Sequence, residues 1–280
     1  MNLLIADSGS TKSDWRFLSN SAPVSVQTEG FNPYLLSGEE ILQRLTIDLK
    51  PKLGNHFPEE IFFYGAGCGT EEKKAIVREA LEKTFRAVKV TVESDLLGAA
   101  RSLCGREPGI AAILGTGSNS CAWDGEKIVA NRPSLGYILG DEGGGSVLGK
   151  ELVRLYLYGD MEEKLRINFE KRFDVQKDAI LNHVYREPMP NRFLASFSKF
   201  IFQNLDHQQC VDLVAINFRQ FFRNHILRYD GFENAQLHVT GSVGFYFSNI
   251  LRRISEEQGI RLGRITETPI AGLVNYHLGV

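Results

Sequence analysis

The first third of the chain alternates between short apolar runs and segments with helical periodicity. Apolar or alternating runs predict strands at residues 2–7, 13–18, 23–29, 61–64 and 88–92. Apolar residues at helical spacing predict helices at residues 38–50, 71–86 and 96–104. Strands that give way to alternating strands and helices are typical of an α/β sheet.

A second block with a similar order of elements begins at Gly109. Its predicted strands are residues 110–114, 121–124, 127–130, 236–240 and 264–266, with Asp124-Gly125 as a hairpin turn. Its predicted helices are residues 147–158, 245–257 and 270–278. The region from 150 to 230 has a helical pattern throughout, and its many Phe and Leu residues indicate a core rather than a cofactor-binding surface.

One segment from each block aligns with the other. IADSGSTKSDW (residues 5–15) matches ILGTGSNSCAW (residues 113–123), with Ile, Gly, Ser and Trp at corresponding places. Each copy is a buried strand, a turn of small residues and a returning strand, which predicts a duplicated domain. Such a turn exposes backbone N–H groups that can bind phosphate. A simple tight hairpin turn is the alternative for either copy taken alone.

Two other phosphate-binding motifs are excluded by their details. Gly115-Thr116-Gly117 lacks the third glycine of a dinucleotide-binding loop and leads into a strand rather than a helix. GGSVLGK (residues 144–150) matches part of a Walker A loop. However, Glu151 occupies the Ser/Thr position that should bind magnesium, and no strand directly precedes the segment.

Composition and charge exclude several classes of function. The 32 basic and 34 acidic residues give a net charge of −2, so no field of one sign is available to attract nucleic acid. No apolar run approaches the ~20 residues of a membrane span. The four cysteines have no C-x-x-C spacing, which argues against zinc and disulfide scaffolds. The N-terminal residues do not resemble a signal peptide, so we expect a cytoplasmic protein.

Four polar residues near predicted turns each allow a functional and a structural interpretation. Asp95 follows a predicted strand and begins a helix, so it is a candidate general base or a helix N-cap. Asp7 ends the first strand, where it could hold Mg²⁺ or stabilise the turn. Asp141 precedes a helix and could be its N-cap or a favourable charge at the positive end of the helix dipole, and Asn32 could serve an Asn-Pro turn.

Three of the turns together resemble the nucleotide-binding motifs of the sugar kinase, Hsp70 and actin superfamily. The segment 7–12 is similar to its phosphate-1 motif, 115–120 to phosphate-2, and 239–244 to the adenosine motif. The resemblance implies an α/β fold of two duplicated ribonuclease H-like (actin-like ATPase) domains, with a nucleotide cleft between them. The N-terminal domain would be 1–108, joined by the C-terminal helix at about 268–280. The C-terminal domain would be 109–267, with a helical insertion.

Within the superfamily the chain is most similar to N-acetylglucosamine kinases and the BadF/BadG/BcrA/BcrD ATPase family. The signatures are SDLLGA (94–99), LGTGSN (114–119) and LGDEGGGS (139–146). Two departures are DSGST in the first turn and Gly136-Tyr137, where animal relatives have glycine and tryptophan. The resemblance implies ATP-dependent phosphorylation of an amino sugar, N-acetylglucosamine to its 6-phosphate. The alternative it leaves open is a BadF-type ATPase that acts as an activator or sugar-sensing regulator without kinase activity.

The resemblance also implies a role for each motif residue. Asp95 would be the catalytic base and Asp7 would hold Mg²⁺. The residues implied in nucleotide and phosphate binding are Ser8, Gly9, Ser10, Thr11, Lys12, Gly115, Thr116, Gly117, Gly241 and Ser242. The residues implied in sugar binding are Asn32, Ser118, Asn119, Gly136 and Asp141. The expected ligands are ATP, Mg²⁺ and an amino sugar, and a homodimer formed through residues 150–230 is a further hypothesis.

Overall fold

The computed structural model describes residues 2–20, 22–85, 89–173 and 176–280. Its strands are β1 Leu3–Ser8, β2 Lys12–Leu18, β3 Val24–Glu29, β4 Glu60–Gly65, β5 Lys89–Ser94, β6 Gly109–Leu114, β7 Ser118–Trp123, β8 Ile128–Arg132, β9 Gln236–Thr240 and β10 Arg261–Thr266. Its α-helices are α1 Gly38–Arg44, α2 Lys50–Leu53, α3 Glu71–Phe85, α4 Asp95–Cys104, α5 Gly136–Leu139, α6 Gly145–Tyr158, α7 Glu163–Arg172, α8 Lys177–Tyr185, α9 Pro190–Ser196, α10 Ser198–Gln203, α11 Gln208–Asn224, α12 Ser242–Tyr246, α13 Ser248–Glu257 and α14 Ile270–Leu278. A π-helical turn, Leu45–Leu49, joins α1 to α2, and a 3₁₀ turn, Ile226–Arg228, follows α11.

The chain divides into two compact units. Unit 1 contains residues 1–106 and 268–280, and unit 2 contains residues 107–267. In the part of unit 1 that the structure describes, five strands form one sheet in the order β3-β2-β1-β4-β5. β1 pairs antiparallel with β2 and parallel with β4. Because side chains alternate along β1, Leu4 and Ala6 enter one core while Leu3 and Ile5 enter another, beneath α14.

The C-terminal helix α14 is part of unit 1 through specific contacts. The Ser102 hydroxyl of α4 donates to the Pro269 carbonyl at 2.7 Å, just before α14 begins. On α14 itself, His277 stacks on Phe62 with ring centroids 3.8 Å apart. The Tyr64 hydroxyl lies 2.9 Å from His277 Nε2 and accepts a hydrogen bond from Arg101 at 2.8 Å. These contacts cover the sheet face that contains Leu3 and Ile5.

Unit 2 contains a second five-stranded sheet with the same strand order as the sheet of unit 1. Among its described residues five strands are ordered β10-β9-β6-β7-β8, which read from the other edge matches the order in unit 1. The predicted α/β fold with duplicated sheets is therefore confirmed. Most phenylalanines of the helical region pack in the core of unit 2, as predicted, while Phe202 is exposed. The fully buried members are Phe169, Phe200, Phe218, Phe221 and Phe222.

The structure corrects several predicted boundaries. β7 begins at Ser118 rather than at 121, because its ladder with β6 continues to Leu114. The predicted helix 245–257 is two helices, α12 and α13, interrupted at Phe247. Residue 86 of the predicted helix 71–86, residue 88 of the predicted strand 88–92, and residues 174 and 175 of the helical region lie outside the described residues.

The segment that partly matches a Walker A loop is helical. Gly149 and Lys150 lie in the first half of α6, so the rejection of that motif agrees with the structure. Gly149 has a packing role instead, since a Cβ there would lie 1.8 Å from the Leu194 carbonyl oxygen of α9. Among the described residues, none of the helices has the length and apolar character needed to cross a bilayer.

Candidate functional site

The first predicted phosphate turn, between β1 and β2, is closed by a hydrogen bond from the Gly9 N–H to the Lys12 carbonyl at 2.9 Å. Ser8 is fully buried, and its hydroxyl accepts hydrogen bonds from Ser13 Oγ at 2.7 Å and from the Phe31 N–H at 3.0 Å. The Ser8 side chain therefore holds the turn to the following loop from inside the protein. Thr11 and Lys12 are exposed on the other side.

The loop at residues 30–33 packs against the turn between β1 and β2. The Gly30 N–H donates to the Thr11 carbonyl at 3.1 Å, and a Cβ at Gly30 would lie 2.1 Å from the Gly9 carbonyl oxygen. Asn32 donates to Ser10 Oγ at 2.9 Å, while its Oδ1 accepts the Tyr34 N–H at 2.9 Å. Asn32 thus forms a local turn and also contacts the phosphate turn. Gly30 was not singled out by the sequence, although its place beside Asn32 was visible.

Asp7 is a partly exposed carboxylate at the end of β1. Burial, together with the negative charges of Asp95 and Asp14, raises the pKa of Asp7 to about 8, and the Lys12 ammonium opposes this rise. The Asp7 carboxylate forms no hydrogen bond with any residue in the described ranges. The structure therefore offers no support for the alternative that Asp7 stabilises the turn.

Asp95 is the first residue of α4, and the alternative that it caps this helix is wrong. The N-cap is Ser94, whose hydroxyl accepts the Leu97 N–H at 3.2 Å. Asp95 Oδ1 accepts the adjacent Leu96 N–H at 2.8 Å. Burial raises the pKa of Asp95 and the Leu96 N–H opposes that rise. A carboxylate with a raised pKa suits a general base better than an ordinary aspartate does.

Asp14 belongs to the same group of carboxylates, although the sequence reasoning did not select it. It pairs with Asp7 across β1 and β2, and only 3% of its surface is exposed. Gln27 donates to its Oδ1 at 2.6 Å, and the Lys12 ammonium lies 3.5 Å from its Oδ2. Counting outward from the turn could have found it, because hairpin residues equidistant from the turn face each other.

The carboxylates near Asp7 suit a cation that is held partly by phosphate. In the described part of the chain no three metal-ligating side chains form a preformed ion site. Mg²⁺ is commonly held by one or two carboxylates, substrate phosphates and water rather than by an all-protein cage. Asp7 supplies such a carboxylate oxygen, and a cation beside it would offset the negative charges of Asp95 and Asp14. These residues therefore fit Mg²⁺.

The second phosphate turn, in unit 2, rests on the N-terminus of α6. The Gly115 N–H donates to the Gly117 carbonyl at 3.0 Å. The carbonyls of Gly115 and Thr116 accept the N–H groups of Gly145 and Ser146, both at 2.8 Å. The first N–H groups of α6 thus bind this turn directly, and the turn is held rigidly at the end of β6.

Asp141 lies directly beside that turn. Its Oδ1 accepts Ser134 Oγ at 2.9 Å and the Ser118 N–H at 3.4 Å, and a Cβ at Gly117 would lie 2.6 Å from its Oδ2. Asp141 has φ 62°, a left-handed conformation that costs a non-glycine residue about 1–3 kcal/mol. The N-cap of α6 is Gly144, so the capping alternative for Asp141 is wrong.

The other predicted sugar-binding residues of unit 2 lie in different surroundings. Ser118 is buried on β7, and its hydroxyl has no partner among the described residues. Asn119 Oδ1 accepts the Ser120 N–H at 2.9 Å and Asn131 Nδ2 at 3.1 Å. Gly136 begins α5 with φ 74°, and a Cβ there would meet no atom within 4 Å.

Asn217 supports the glycine-rich loop at residues 140–146, and the sequence pattern did not single it out. It is buried on α11, accepts the Gly143 N–H at 2.8 Å and donates to the Gly144 carbonyl at 3.2 Å. Its position on the apolar face of α11, beside Phe218 and Phe221, is the signal that could have identified it, because a buried amide needs partners.

The third predicted turn meets the second one within unit 2. Gly241 has φ 112°, and a Cβ there would lie 2.4 Å from the Leu114 carbonyl oxygen. Its N–H donates to the Thr266 carbonyl at 3.0 Å. Ser242 begins α12 and is exposed. The structure thus places the turns at residues 115–120 and 239–244 together with Asp141 in unit 2. It places Asp7, residues 9–12, Asn32 and Asp95 together in unit 1.

Comparisons with known proteins agree with this arrangement. A solved structure from Porphyromonas gingivalis, described as a "putative N-acetylglucosamine kinase", is 42% identical, covers 99% of both chains and has a TM-score of 0.95. A second structure, described in the same words and from Chromobacterium violaceum, is 17% identical over 98% of both chains with a TM-score of 0.74, which shows the fold alone.

A curated protein from Clostridium acetobutylicum, "N-acetylmuramic acid/N-acetylglucosamine kinase", is 24% identical over 177 residues. The match spans 58% of this chain and little more than half, 56%, of that relative. No family model matches the chain.

Two duplicated five-stranded sheets, each with a turn of small residues after its central strand, are the two-domain fold of sugar kinases. The 42% identity to the Porphyromonas structure extends along the whole chain and therefore identifies the family as well as the fold. This chain belongs to the N-acetylglucosamine kinase family.

Proposed function

We propose that the protein is an ATP-dependent kinase that phosphorylates N-acetylglucosamine on its 6-hydroxyl group. The observation that carries the proposal is Asp95, a carboxylate with a raised pKa that is not used as the cap of its helix. The family membership supports the same reaction. A kinase of this kind works mainly by positioning and charge stabilisation, with one residue to accept the proton.

In the proposed reaction the sugar hydroxyl gives its proton to the Asp95 carboxylate as the oxygen attacks the terminal phosphorus of ATP. The bond between that phosphorus and the bridging oxygen of the β-phosphate breaks, and ADP leaves with the electron pair. Asp141 and Asn32 would orient the sugar. Backbone N–H groups of the two predicted phosphate turns, residues 7–12 and 115–120, would hold the phosphates. Mg²⁺, when bound through Asp7, would neutralise phosphate charge. The cytoplasmic location and the homodimer stay predictions.

The alternative of a BadF-type ATPase that acts as an activator finds little support in the form in which cysteine thiolates would hold an iron–sulfur cluster. All four cysteines are buried. Burial raises the pKa of Cys68 and of Cys210 to about 12, which disfavours the thiolate that a cluster requires.

The test is ADP release from Mg·ATP with N-acetylglucosamine, glucosamine, N-acetylmuramic acid, glucose and no sugar. We expect ADP formation with N-acetylglucosamine well above the sugar-free control, and product analysis should show the 6-phosphate. Equal ADP formation with and without sugar would favour an ATPase. Nucleotide binding without turnover on any sugar would favour a regulator.

A further inference from the structure

Two arginines of unit 1 lie against the same tyrosine ring. Arg101 belongs to α4, Arg106 follows the end of that helix, and Tyr276 belongs to α14. The guanidinium carbons of Arg101 and Arg106 lie 5.2 Å and 5.5 Å from the centroid of the Tyr276 ring. The ring attracts each cation, but two like charges beside one ring also repel each other. Arg101, Arg106 and Tyr276 together form the arginine cluster.

Within the described part of unit 1, neither guanidinium group of the arginine cluster forms an ion pair with an acidic residue. The Glu93 carboxylate attracts Arg101 from beyond ion-pair distance, but Lys74 binds that carboxylate at 2.7 Å. Arg101 donates to the Tyr64 hydroxyl at 2.8 Å, and its buried Nε has no hydrogen-bond partner among the described residues. A partly buried charge is usually paired, so the unpaired positive charge of this cluster indicates a place for an anion.

The arginine cluster also keeps hydrogen-bond donors that the protein does not use. Arg106 is exposed, and its N–H groups form no hydrogen bond with a described residue. The Tyr276 hydroxyl likewise has no hydrogen-bond partner in the described ranges, so it keeps its donor. Burial, and next the Arg101 charge, lower the pKa of the adjacent His277 to about 4, so that histidine is uncharged at neutral pH. The two arginines therefore provide the positive charge of the cluster.

We propose that the arginine cluster binds a phosphate dianion, either free phosphate or the phosphate group of a monoester. Guanidinium groups match phosphate oxygens in charge and shape, and their hydrogen bonds to phosphate can be bidentate. A dianion would also offset the repulsion between the two arginines. The site is separate from the proposed general base, because a helix rises 1.5 Å per residue and Arg101 therefore lies about 9 Å along α4 from Asp95. The inference goes beyond the proposed kinase function and does not depend on it.

The first experiment measures how fast phenylglyoxal, a reagent for arginine side chains, modifies Arg106 in the full chain, with site-resolved mass spectrometry as the readout. Inorganic phosphate and N-acetylglucosamine 6-phosphate are compared with sodium chloride at equal ionic strength. We expect at least one of the two phosphates to slow the reaction at Arg106 about tenfold when its concentration is about ten times its Kd. The matched control is Arg252, an exposed arginine of α13 that forms no ion pair with a described residue. Its rate should stay within about twofold of the rate in sodium chloride.

The second experiment titrates the phosphate that protects Arg106 into the wild type, Arg106→Gln and Arg252→Gln, with calorimetry as the readout. Binding at the arginine cluster should be about tenfold or more weaker in Arg106→Gln, the effect of losing one charged hydrogen bond. Arg252→Gln removes the same charge elsewhere and should keep the wild-type affinity.

The outcomes identify the source of the phosphate or overturn the inference. Protection of Arg106 by both compounds would assign the site to the phosphate group itself. Protection by one of them alone would assign it to free phosphate or to a monoester. Protection by neither compound, equal slowing at Arg252, or an unchanged affinity in Arg106→Gln would overturn the inference.

Discussion

Asp7 and Asp14 occupy directly paired positions on β1 and β2, so two carboxylates face each other on one side of the first hairpin. Asp14 is buried, and its negative charge contributes to raising the pKa of Asp7 to about 8. The Lys12 ammonium, 3.5 Å from Asp14 Oδ2, lies at the same end of the hairpin. After burial and the Asp95 charge, this pairing is a further cause of the raised pKa of the residue proposed to hold Mg²⁺.

The first prediction concerns this pair. Asp14→Asn should lower the pKa of Asp7, because it removes one of the negative charges that raise that pKa. Cation binding requires the ionised Asp7, so Mg·ATP affinity in the wild type should rise between about pH 7 and pH 9. In Asp14→Asn the midpoint of that rise should move to lower pH. Asp178→Asn, an exposed change on α8, is the control and should keep the wild-type midpoint. An unmoved midpoint in Asp14→Asn would contradict the coupling.

The second prediction concerns Asp95, the proposed general base. Asp95→Asn should lower kcat by about 10²–10⁴-fold, the usual contribution of a general base. The Kd for Mg·ATP should change little at about pH 9, where Asp7 is mostly ionised with or without the Asp95 charge. Ser94→Ala separates catalysis from helix capping. It removes the N-cap of α4, so it should lower the free energy of unfolding by about 1 kcal/mol and leave kcat near the wild-type value. Full activity in Asp95→Asn would exclude the proposed role.

The third prediction concerns the support of the first phosphate turn. Gly30→Ala would bring a Cβ within 2.1 Å of the Gly9 carbonyl oxygen, so the turn must move. We expect the Kd for ATP to rise about tenfold or more, consistent with the 1–3 kcal/mol cost of overpacking. Gly69→Ala is the matched control, because a Cβ there meets no atom within 4 Å. Equal ATP affinity in the two variants would show that the turn does not bind the nucleotide.

The fourth prediction concerns the C-terminal helix. Burial, and next the Arg101 charge, lower the pKa of His277 to about 4. The ordinary histidine value is near 6.5, so between pH 6.5 and pH 4 the unfolded chain binds more protons at this residue than the folded one. Stability from His277 is thus complete above pH 6.5 and is lost as the pH falls toward 4.

His277→Gln should therefore show a smaller drop in thermal midpoint from pH 7 to pH 5 than the wild type. His56→Gln is the control, since His56 lies beside Phe17 and forms no ion pair with a described residue. It should keep the wild-type drop. An identical drop in His277→Gln and the wild type would show that this histidine does not couple pH to stability.

Several elements of the fold followed from sequence alone. The strand Gln236–Thr240 and the helix Ile270–Leu278 have the predicted bounds, because each is a compact apolar pattern between breaking residues. The duplication was visible in the two aligned hairpins and is confirmed by the repeated strand order. The family was identifiable because small-residue turns must recur at set places to leave room for phosphate.

The roles of single polar residues needed the tertiary structure. Asp95 and Asp141 each precede or begin a helix, and the sequence alone could not separate a cap from a functional carboxylate. Ser94 and Gly144 are the caps in the structure, which leaves both aspartates available. The backbone geometry at the end of a helix defines which residue is the cap, and sequence patterns place helix ends only to within one or two residues.

The sequence by itself determined what depends on local pattern: the order of strands and helices, the turns of small residues, the duplication and the family. The tertiary structure alone decided what depends on residues distant in the chain. It placed Gly30 against the turn at Gly9, Asn217 under the glycine-rich loop, and Arg101 and Arg106 against Tyr276. Packing brings such groups together across long separations, and residue spacing carries little information about those distances.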